Sequence, residues 1–442
     1  MQTKRTRPDY GMMLLPSLEA FIPEDHYLRK LNRVLDLSFV HEAVSDKYCQ
    51  DNGRPSIDPE VIIRLFLLQA IEGISSVRRL LQRVHVDLAY RWFIGYRVDE
   101  RLPDHSTLSK ALDRFGDGVF NELFARSVSQ CQQSGLLEGQ VLHLDATTIR
   151  ANLDAGRVNK PDSPDRDARF GHFPGGKRHP GYKQHTLADG KRRVVVGLSV
   201  TPANCPEGRE TSRLVDEASG RLGHPPAVVC ADAAYGSGRN RAELEGCGVR
   251  LVSPPHGPKT YTGGKYFTVD VFAYDESRDR FTCPAGHPLK HVYTEKVRGR
   301  RIYRAQRRHC RVCPLRSQCT KSECRAVKVS PYHASLVRLR ADSQTDSFKQ
   351  LYRRRAPVIE GVFAEAKQWH GLGRAWRRGL AKMRVQCLLI ATVINLKRLG
   401  GVSGYSYPWQ VCTEAIRNHI WCALKKYYRW YSPWPLALAA AE

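Results

Sequence analysis

Two acidic side chains follow apolar runs that are typical of buried strands. Asp145 ends the apolar run of QVLHLDATTIRAN, and Asp232 ends that of PPAVVCADAAYGSGRN. Each pattern predicts a strand with an acid at its end. Because an unpaired carboxylate there has a high desolvation cost, a partner is expected. A divalent cation is one such partner, since magnesium takes oxygen ligands.

A third acid, Glu360, lies in the stretch 352–367, YRRRAPVIEGVFAEAK, which predicts a helix. Glu360, Phe363, Ala364 and Lys367 fall at i, i+3, i+4 and i+7 and so share one helical face. Glu360 and Lys367 are separated by roughly 10 Å along the axis, which suits a carboxylate at a metal and an ammonium at a phosphate.

Each acid also has an ordinary explanation. An Asp after a strand can be a turn residue, and charged residues at helical spacing occur on solvated helices. Together, Asp145, Asp232 and Glu360 could hold two metal ions about 4 Å apart for an in-line phosphoryl transfer.

The order Asp, Asp, Glu in these surroundings resembles the bacterial insertion-sequence DDE transposases, in the group whose signature around the last acid is Y-x2-R-x3-E-x6-K. Tyr352, Arg355, Glu360 and Lys367 give Y-x2-R-x4-E-x6-K here. The longer Arg-to-Glu spacing leaves open which arginine of residues 353–355 holds the phosphate. Further matching segments are PDHSTL (103–108), GYKQH (181–185) and TPAN (201–204).

The resemblance implies an α/β fold with an RNase H-like catalytic core, a mixed sheet flanked by helices. It implies that Asp145, Asp232 and Glu360 bind two Mg²⁺ or Mn²⁺ ions, and that the enzyme cuts at element ends and joins them to target DNA. Arg355 and Lys367 would hold phosphates, and Tyr352 would orient them. Its partners would be double-stranded DNA, as terminal repeats and target, and a second copy in a homodimer.

Two other functions fit the same residues. A metal nuclease on the same core would cleave DNA without strand transfer, and a catalytically inactive DNA-binding regulator would use the charge alone. Tyr182 and Lys183, at the start of a predicted strand pair, could stack on a base and contact a phosphate, or be ordinary half-exposed hairpin residues.

Charge supports a nucleic-acid partner. The 442 residues include 70 Lys and Arg against 44 Asp and Glu, a formal net charge of +26, and such a surplus favours polyanions. No apolar run approaches the roughly 20 residues of a membrane-spanning helix, and the start has no secretion-signal pattern. We therefore expect a cytoplasmic protein, and the resemblance implies a bacterial one associated with the nucleoid.

The pattern along the chain predicts four regions. They are a helical N-terminal domain that binds DNA ends (1–135), the first part of the core (136–254), a Cys-rich basic insertion (255–346), and a completion of the core by the Glu360 helix and C-terminal helices (347–442). The basic residues of the first region could equally belong to a solvated bundle.

The insertion carries most of the clustered cysteines. The chain has 13 Cys residues, an odd count whose scatter does not indicate a disulfide framework. A C-x2-C pair with two further thiolates could bind a tetrahedral structural zinc, with His287 or Cys324 as a substitute ligand, although free surface thiols would explain the same residues. The preferred ligands are Cys283, Cys310, Cys313 and Cys319.

Overall fold

Helices make up the N-terminal part of the chain. The computed structural model describes residues 17–48, 56–173, 175–255 and 266–402. Asp58 caps the fourth helix by accepting the N–H of Glu60 at 2.7 Å, and Pro59 takes the first helical position, where its missing N–H costs nothing. The α-helices described here are α1 (Leu18–Phe21), α2 (Tyr27–Val34), α3 (Val40–Ala43), α4 (Pro59–Ile71), α5 (Val77–Val86), α6 (Leu88–Ile94), α7 (His105–Phe115) and α8 (Gly118–Gln133).

A mixed sheet follows. Its elements are β1 (Val141–Arg150), β2 (Arg169–His172), β3 (Arg178–Asp189), β4 (Val195–Pro202), α9 (Thr211–Leu222), β5 (Val228–Ala231), α10 (Gly238–Gly246) and β6 (Arg250–Val252). β4, β3 and β1 are antiparallel neighbours, and β1, β5 and β6 are parallel neighbours. β2 pairs with the start of β3. The chain is therefore a mixed α/β protein.

The turn between β3 and β4 is held by one buried acid. Asp189 accepts the backbone N–H groups of Glu138 at 3.2 Å, Gly139 at 2.9 Å and Lys191 at 2.8 Å. A carboxylate with several N–H donors can be buried at low cost. The sequence pattern predicts this turn at Asp189 and Gly190.

The Cys-rich segment forms a second, antiparallel sheet. Its buried side chains include Phe281, Leu289 and Tyr303. Its strands, with the short helices between them, are β7 (Ala273–Asp275), β8 (Arg280–Thr282), β9 (Pro288–Thr294), β10 (Arg301–Ala305), α11 (Arg307–Arg311), α12 (Arg316–Cys319) and β11 (Ala326–Val329). The strands run in the order β11, β10, β9, β8, β7.

Three further helices return to the first sheet: α13 (His333–Ser343), α14 (Asp346–Gln368) and α15 (Leu380–Leu399). α14 begins earlier than the stretch 352–367 suggests, because Thr345 caps it by accepting the N–H of Phe348 at 3.2 Å. Pro357 lies inside this helix. The buried face of α14, with Val358, Ile359 and Val362, packs on the sheet.

The segment after β1 is polar, and its composition predicts a loop that is mobile until DNA binds. In the structure, two of its acids form hydrogen bonds with other elements. Asp165 is buried and accepts the hydroxyl of Tyr182 at 2.6 Å. Asp167 accepts the N–H of Leu380 at 2.8 Å, at the start of α15. These two acids hold the segment against β3 and the start of α15.

Asn395 of α15 closes the free edge of β4. Its side chain accepts the N–H of Val195 at 2.9 Å and donates to the Val195 carbonyl at 2.9 Å and to Ser127 at 3.2 Å. An unpaired strand edge can pair with other chains. Asn395 therefore satisfies one residue of β4 as a neighbouring strand would.

Replacing Asn395 with Ala is expected to lower the free energy of unfolding by about 3 kcal/mol, because two buried backbone groups of Val195 lose their partner. Urea unfolding measures the change. Thr392→Val is the matched control: its hydroxyl bonds only the Leu388 carbonyl within the helix, so a loss under about 1 kcal/mol is expected. Equal losses in both variants would contradict the edge-closing role.

The chain divides into two units, Met1–Gly400 and Gly401–Glu442. The C-terminal helices predicted beyond residue 402 lie outside the described residues. Among the helices of the described residues, none combines the length and apolar character needed to cross a membrane.

Candidate active site

Asp145 lies in the middle of β1 rather than at its end, which corrects the sequence-based prediction. β1 continues to Arg150 because β3 pairs with it along that length. The parallel pairing with β5, however, stops at the pair Leu144 and Ala231. Asp145 is therefore the first residue of β1 beyond the end of β5.

Asp232 follows β5 directly, and the strand register places it beside Asp145. Its carboxylate accepts the N–H of Ala234 at 2.9 Å, and its carbonyl accepts the hydroxyl of Ser253 at 2.6 Å. The structure thus brings two of the three predicted acids together on adjacent strands.

Both carboxyls ionise less readily than usual. Burial raises the pKa of Asp145, and the charge of Asp232 adds to the rise, while Arg355 and the N–H of Ala146 oppose it. Burial also raises the pKa of Asp232, with a further contribution from the charge of Glu207. A cation bound at Asp145 and Asp232 would lower the pKa values of both carboxyls.

Arg355 already supplies one positive charge. Its Nη1 donates to Oδ2 of Asp145 at 2.8 Å, and its guanidinium lies 5.6 Å from the ring centre of Tyr352. The side chains of Arg355 and Asp145 are 12% and 20% exposed. The arginine predicted to hold a phosphate thus neutralises a predicted metal ligand in this structure.

Glu360 is not brought to the Asp pair. Glu360 lies five residues after Arg355, so it is rotated about 140° from Arg355 around the helix axis and lies about 7.5 Å further along the helix. Its side chain is exposed there. It forms no hydrogen bond or ion pair within the described part of the chain. Across residues 17–402, the masked stretches apart, no three His, Cys, Asp or Glu side chains are arranged to hold a metal ion.

Lys367 is half-buried on the face that also carries Glu360. Burial lowers its pKa, and it has no hydrogen bond or ion pair with any residue that the structure describes. Tyr352 packs near Phe348, with 6.2 Å between ring centres. A half-buried ammonium with no carboxylate partner suits an incoming anion.

The two residues predicted at the start of the strand pair turn inward. Tyr182 is fully buried and bonded to Asp165, so its ring cannot stack on a base, which corrects that expectation. Nζ of Lys183 donates to Glu207 at 2.8 Å and to the carbonyl of Cys205 at 3.2 Å. Lys183 is thus engaged by protein groups and not free for a phosphate.

Glu207 was not anticipated from the sequence. Its carboxylate forms an ion pair with the ammonium of Lys183, and its charge raises the pKa of Asp232. His185 lies in the same layer and bonds Tyr235 at 3.1 Å and Thr201 at 2.9 Å. Lys183 and His185 belong to the GYKQH segment and Thr201 to the TPAN segment, but no spacing rule links these segments to Asp232.

The predicted zinc ligands gather at the small sheet. Cys283, Cys310 and Cys319 pack against its core, and Sγ of Cys283 accepts the N–H of His287 at 3.4 Å. Burial raises the pKa of Cys319, and the thiols of Cys310, Cys283 and Cys313 add to the rise. The thiols are thus near one another, although not in a coordinating arrangement among the described residues.

Solved structures with some likeness to the chain include two transposase complexes. One is the piggyBac transposase synaptic complex with hairpin DNA, at 10% identity and a TM-score of 0.35, with 90% of this chain and 85% of that chain covered. The other is the Mos1 transposase paired-end complex with left transposon end, at 12% identity and a TM-score of 0.18, with 73% and 82% covered. Likenesses this weak carry no conclusion.

Family models are more informative. No curated protein matches the chain. The model described as Transposase domain (DUF772) matches residues 16–114, and the model described as Transposase DDE domain matches residues 282–400, which include α14 and Glu360. Together, the two family matches indicate an insertion-sequence DDE transposase.

Proposed function

We propose that the protein cuts DNA at the ends of an insertion sequence and joins those ends to target DNA. The observation that carries this proposal is the placement of Asp145 and Asp232 side by side on adjacent strands, under the helix that bears Arg355, Glu360 and Lys367.

An RNase H-like core is part of the proposal. The order β4, β3, β1, β5, β6, with three antiparallel strands followed by two parallel ones, supports it. In such a sheet, the acids of the central strands and of a covering helix can meet at one edge.

Divalent cations, Mg²⁺ or Mn²⁺, are the proposed cofactors. Asp145 and Asp232 fit them because they are adjacent oxygen donors whose pKa values burial has raised. Glu360, which lies on an exposed face of α14 in the structure, would complete the ligand set after a rearrangement that brings it to the Asp pair. Two bound ions would activate the attacking oxygen and stabilise the leaving oxygen.

The chain's own cations have separate roles in this scheme. Arg355 neutralises Asp145 in the structure and would turn to a phosphate when a cation takes its place. Lys367 is half-buried without a carboxylate partner and would bind a phosphate from the start. Tyr352 would hold the guanidinium of Arg355 in position through its ring.

Double-stranded DNA is the proposed partner, as terminal repeats and as target. The net charge of +26 supports it. We place a homodimer on the DNA and the protein in the bacterial cytoplasm with the nucleoid, as the family resemblance implies.

Incubation of the purified protein with labelled DNA carrying the flanking element ends, with and without Mg²⁺ or Mn²⁺, tests the reaction. Metal-dependent cleavage and joined products are expected. Cleavage without joined products would favour the nuclease on the same core. Binding without cleavage in any metal would favour the inactive regulator.

A structural zinc at the small sheet is proposed as well, with Cys283, Cys310, Cys313 and Cys319 as ligands. The proximity of the thiols and the N–H donated to Cys283 support it. Four thiolates suit a closed tetrahedral site.

Elemental analysis of the purified protein is expected to give one zinc per chain, and Cys310→Ser combined with Cys313→Ser is expected to lose it, because two of four ligands are removed. Cys247→Ser is the control, since Cys247 is exposed and far along the chain from the cluster. A zinc-free wild type, or full zinc in the double variant, would refute the site.

A further inference from the structure

Three consecutive cations, Lys191, Arg192 and Arg193, lie between β3 and β4, and all three are exposed. Arg193 has a backbone φ of +58°, in the left-handed region that residues with a Cβ rarely adopt. The other non-glycine residues with a positive φ in the described ranges are Asn159 and Asp279, whose short polar side chains tolerate it. An arginine in this conformation is kept there by its surroundings.

The connection that carries Arg193 is fastened on two sides. Asp189 donates its N–H to the carbonyl of Val194 at 2.8 Å, which closes the connection at the sheet. Nε of Arg398, at the end of α15, donates to the carbonyl of the residue before Arg193 at 3.1 Å, and the same guanidinium forms an ion pair with Glu365 of α14. The backbone of Arg193 therefore has a fixed position beside α14.

The guanidinium of Arg193 lies directly on Gly361 of α14. A Cβ atom at Gly361 would be 2.7 Å from Nη1, 2.8 Å from Cζ and 3.1 Å from Nε of Arg193. These distances are shorter than van der Waals contact, so only a glycine leaves room for the guanidinium there. A glycine inside a helix is less stable than an alanine, and the position of Arg193 explains why α14 has one.

The donors of this guanidinium are free to bind. The side chain of Arg193 is exposed and forms no hydrogen bond or ion pair with any residue that the structure describes. The acids that contact the connection or its anchor already have cations, because Glu138 pairs with Lys191 at 3.3 Å and Glu365 pairs with Arg398. The guanidinium thus has a fixed place and five N–H donors that no described protein group accepts.

We propose that Arg193 binds a phosphate of the DNA backbone beside Glu360, and that Gly361 provides the space in which the guanidinium is held. Glu360 immediately precedes Gly361 and is exposed, as Arg193 is. The planar fork of arginine matches two phosphate oxygens, and a donor that is already held in place loses little freedom on binding. The choice of a DNA phosphate rests on the proposed function and on the net charge of +26.

Equilibrium binding of a labelled duplex that carries the element ends, over a series of salt concentrations in EDTA to prevent cleavage, tests the contact. Each phosphate contact contributes about 0.9 to the slope of log affinity against log salt. Arg193→Gln is expected to reduce the slope by about 0.9 and the affinity roughly tenfold. Arg193→Lys keeps the charge, so its slope should be retained while its affinity falls several-fold, because the fork is lost.

Gly361→Ala separates phosphate binding from a merely structural role. The added methyl group would displace the guanidinium, so the affinity for the duplex should fall several-fold. The melting temperature should nevertheless rise by about 1–2 °C, because alanine favours the helix. Gly220→Ala is the matched control, since Gly220 lies in α9, where a Cβ would meet no other group of the described chain within 4 Å. It should give a similar rise in melting temperature with unchanged DNA binding.

The two substitutions should not add in their effect on DNA binding. Once Arg193→Gln has removed the guanidinium, the methyl group of Gly361→Ala displaces nothing that binds DNA, so the double variant should bind as Arg193→Gln alone does. A full further loss of affinity in the double variant would refute the role of Gly361 in holding the guanidinium.

An unchanged slope and affinity in Arg193→Gln would overturn the proposal. So would a lower melting temperature of Arg193→Gln with normal DNA binding, since Arg193 would then only fasten the connection to α14. Gly361→Ala keeps the test valid if Arg193→Gln fails to fold. A wild type that binds DNA through Arg193 but never cuts it would refute the proposed reaction alone. A wild type that cuts and joins while Arg193→Gln binds normally would refute the Arg193 contact alone.

Discussion

Glu360→Gln is expected to reduce DNA cleavage and joining by about a thousandfold, because a lost metal ligand removes several kcal/mol of transition-state stabilisation. Asp145→Asn and Asp232→Asn are expected to do the same. DNA binding in EDTA should change little for Glu360→Gln, since Glu360 is exposed and unpaired in the described chain. Quantification of cleaved and joined products in Mg²⁺ measures the effect.

Glu207→Gln is the decisive comparison. In the structure Glu207, and not Glu360, is the glutamate whose charge acts on Asp232. The carboxylate of Glu207 already forms an ion pair with Lys183. We therefore expect Glu207→Gln to reduce DNA cleavage and joining by no more than about tenfold, as for the loss of a positioning contact. Asp216→Asn, an exposed acid on α9, should retain full activity. If Glu207→Gln were as inactive as Asp232→Asn while Glu360→Gln remained active, Glu207 would complete the site.

Local signals account for the elements that the sequence could predict. Asp58 and Pro59 mark the start of α4, and the apolar runs before Asp145 and Asp232 mark β1 and β5. These features depend on a few neighbouring residues, as capping and strand burial do. The placement of Glu360 and Lys367 on one helix follows from spacing in the same way.

The composition of the site depended on pairings that no local pattern contains. Asp145 meets Arg355 across 210 residues of sequence, and it lies beside Asp232 only because β5 pairs with β1 in parallel. A second, antiparallel pairing, of β1 with β3, extends the strand beyond Asp145, where the sequence predicts its end.

Tyr182 shows why an alternating strand pattern can mislead. β3 is buried along nearly its whole length from Gly181 to Asp189, since it lies inside the sheet with both faces covered. Strands buried on both faces have no outward side. A tyrosine there needs a buried hydrogen-bond partner, which Asp165 provides, and the sequence gives no indication of that contact.

Acid is expected to destabilise the fold through three buried histidines. Burial lowers the pKa values of His143, His185 and His333 to about 4, whereas an unfolded histidine has a pKa of about 6.5. As the pH falls below about 6.5, the unfolded chain takes up protons that the folded chain does not. Stability is therefore complete above that pH and decreases as the pH falls towards about 4.

Between about pH 7 and pH 5, each of these histidines is expected to cost about 2 kcal/mol of unfolding free energy. His333→Phe isolates one of them, because the ring packs 5.2 Å from Phe281 and 5.1 Å from Tyr274 and a phenyl group would fill the same space. Urea unfolding at the two pH values should show a pH-dependent loss smaller by about 2 kcal/mol in this variant. His172→Phe, at an exposed position, should keep the wild-type loss. An equal pH-dependent loss of unfolding free energy in His333→Phe and in wild type would contradict this prediction, because it would mean that His333 is protonated in the fold. Of the charged groups that act on His333, Asp270 favours the cation, while Arg340 and Arg301 oppose it.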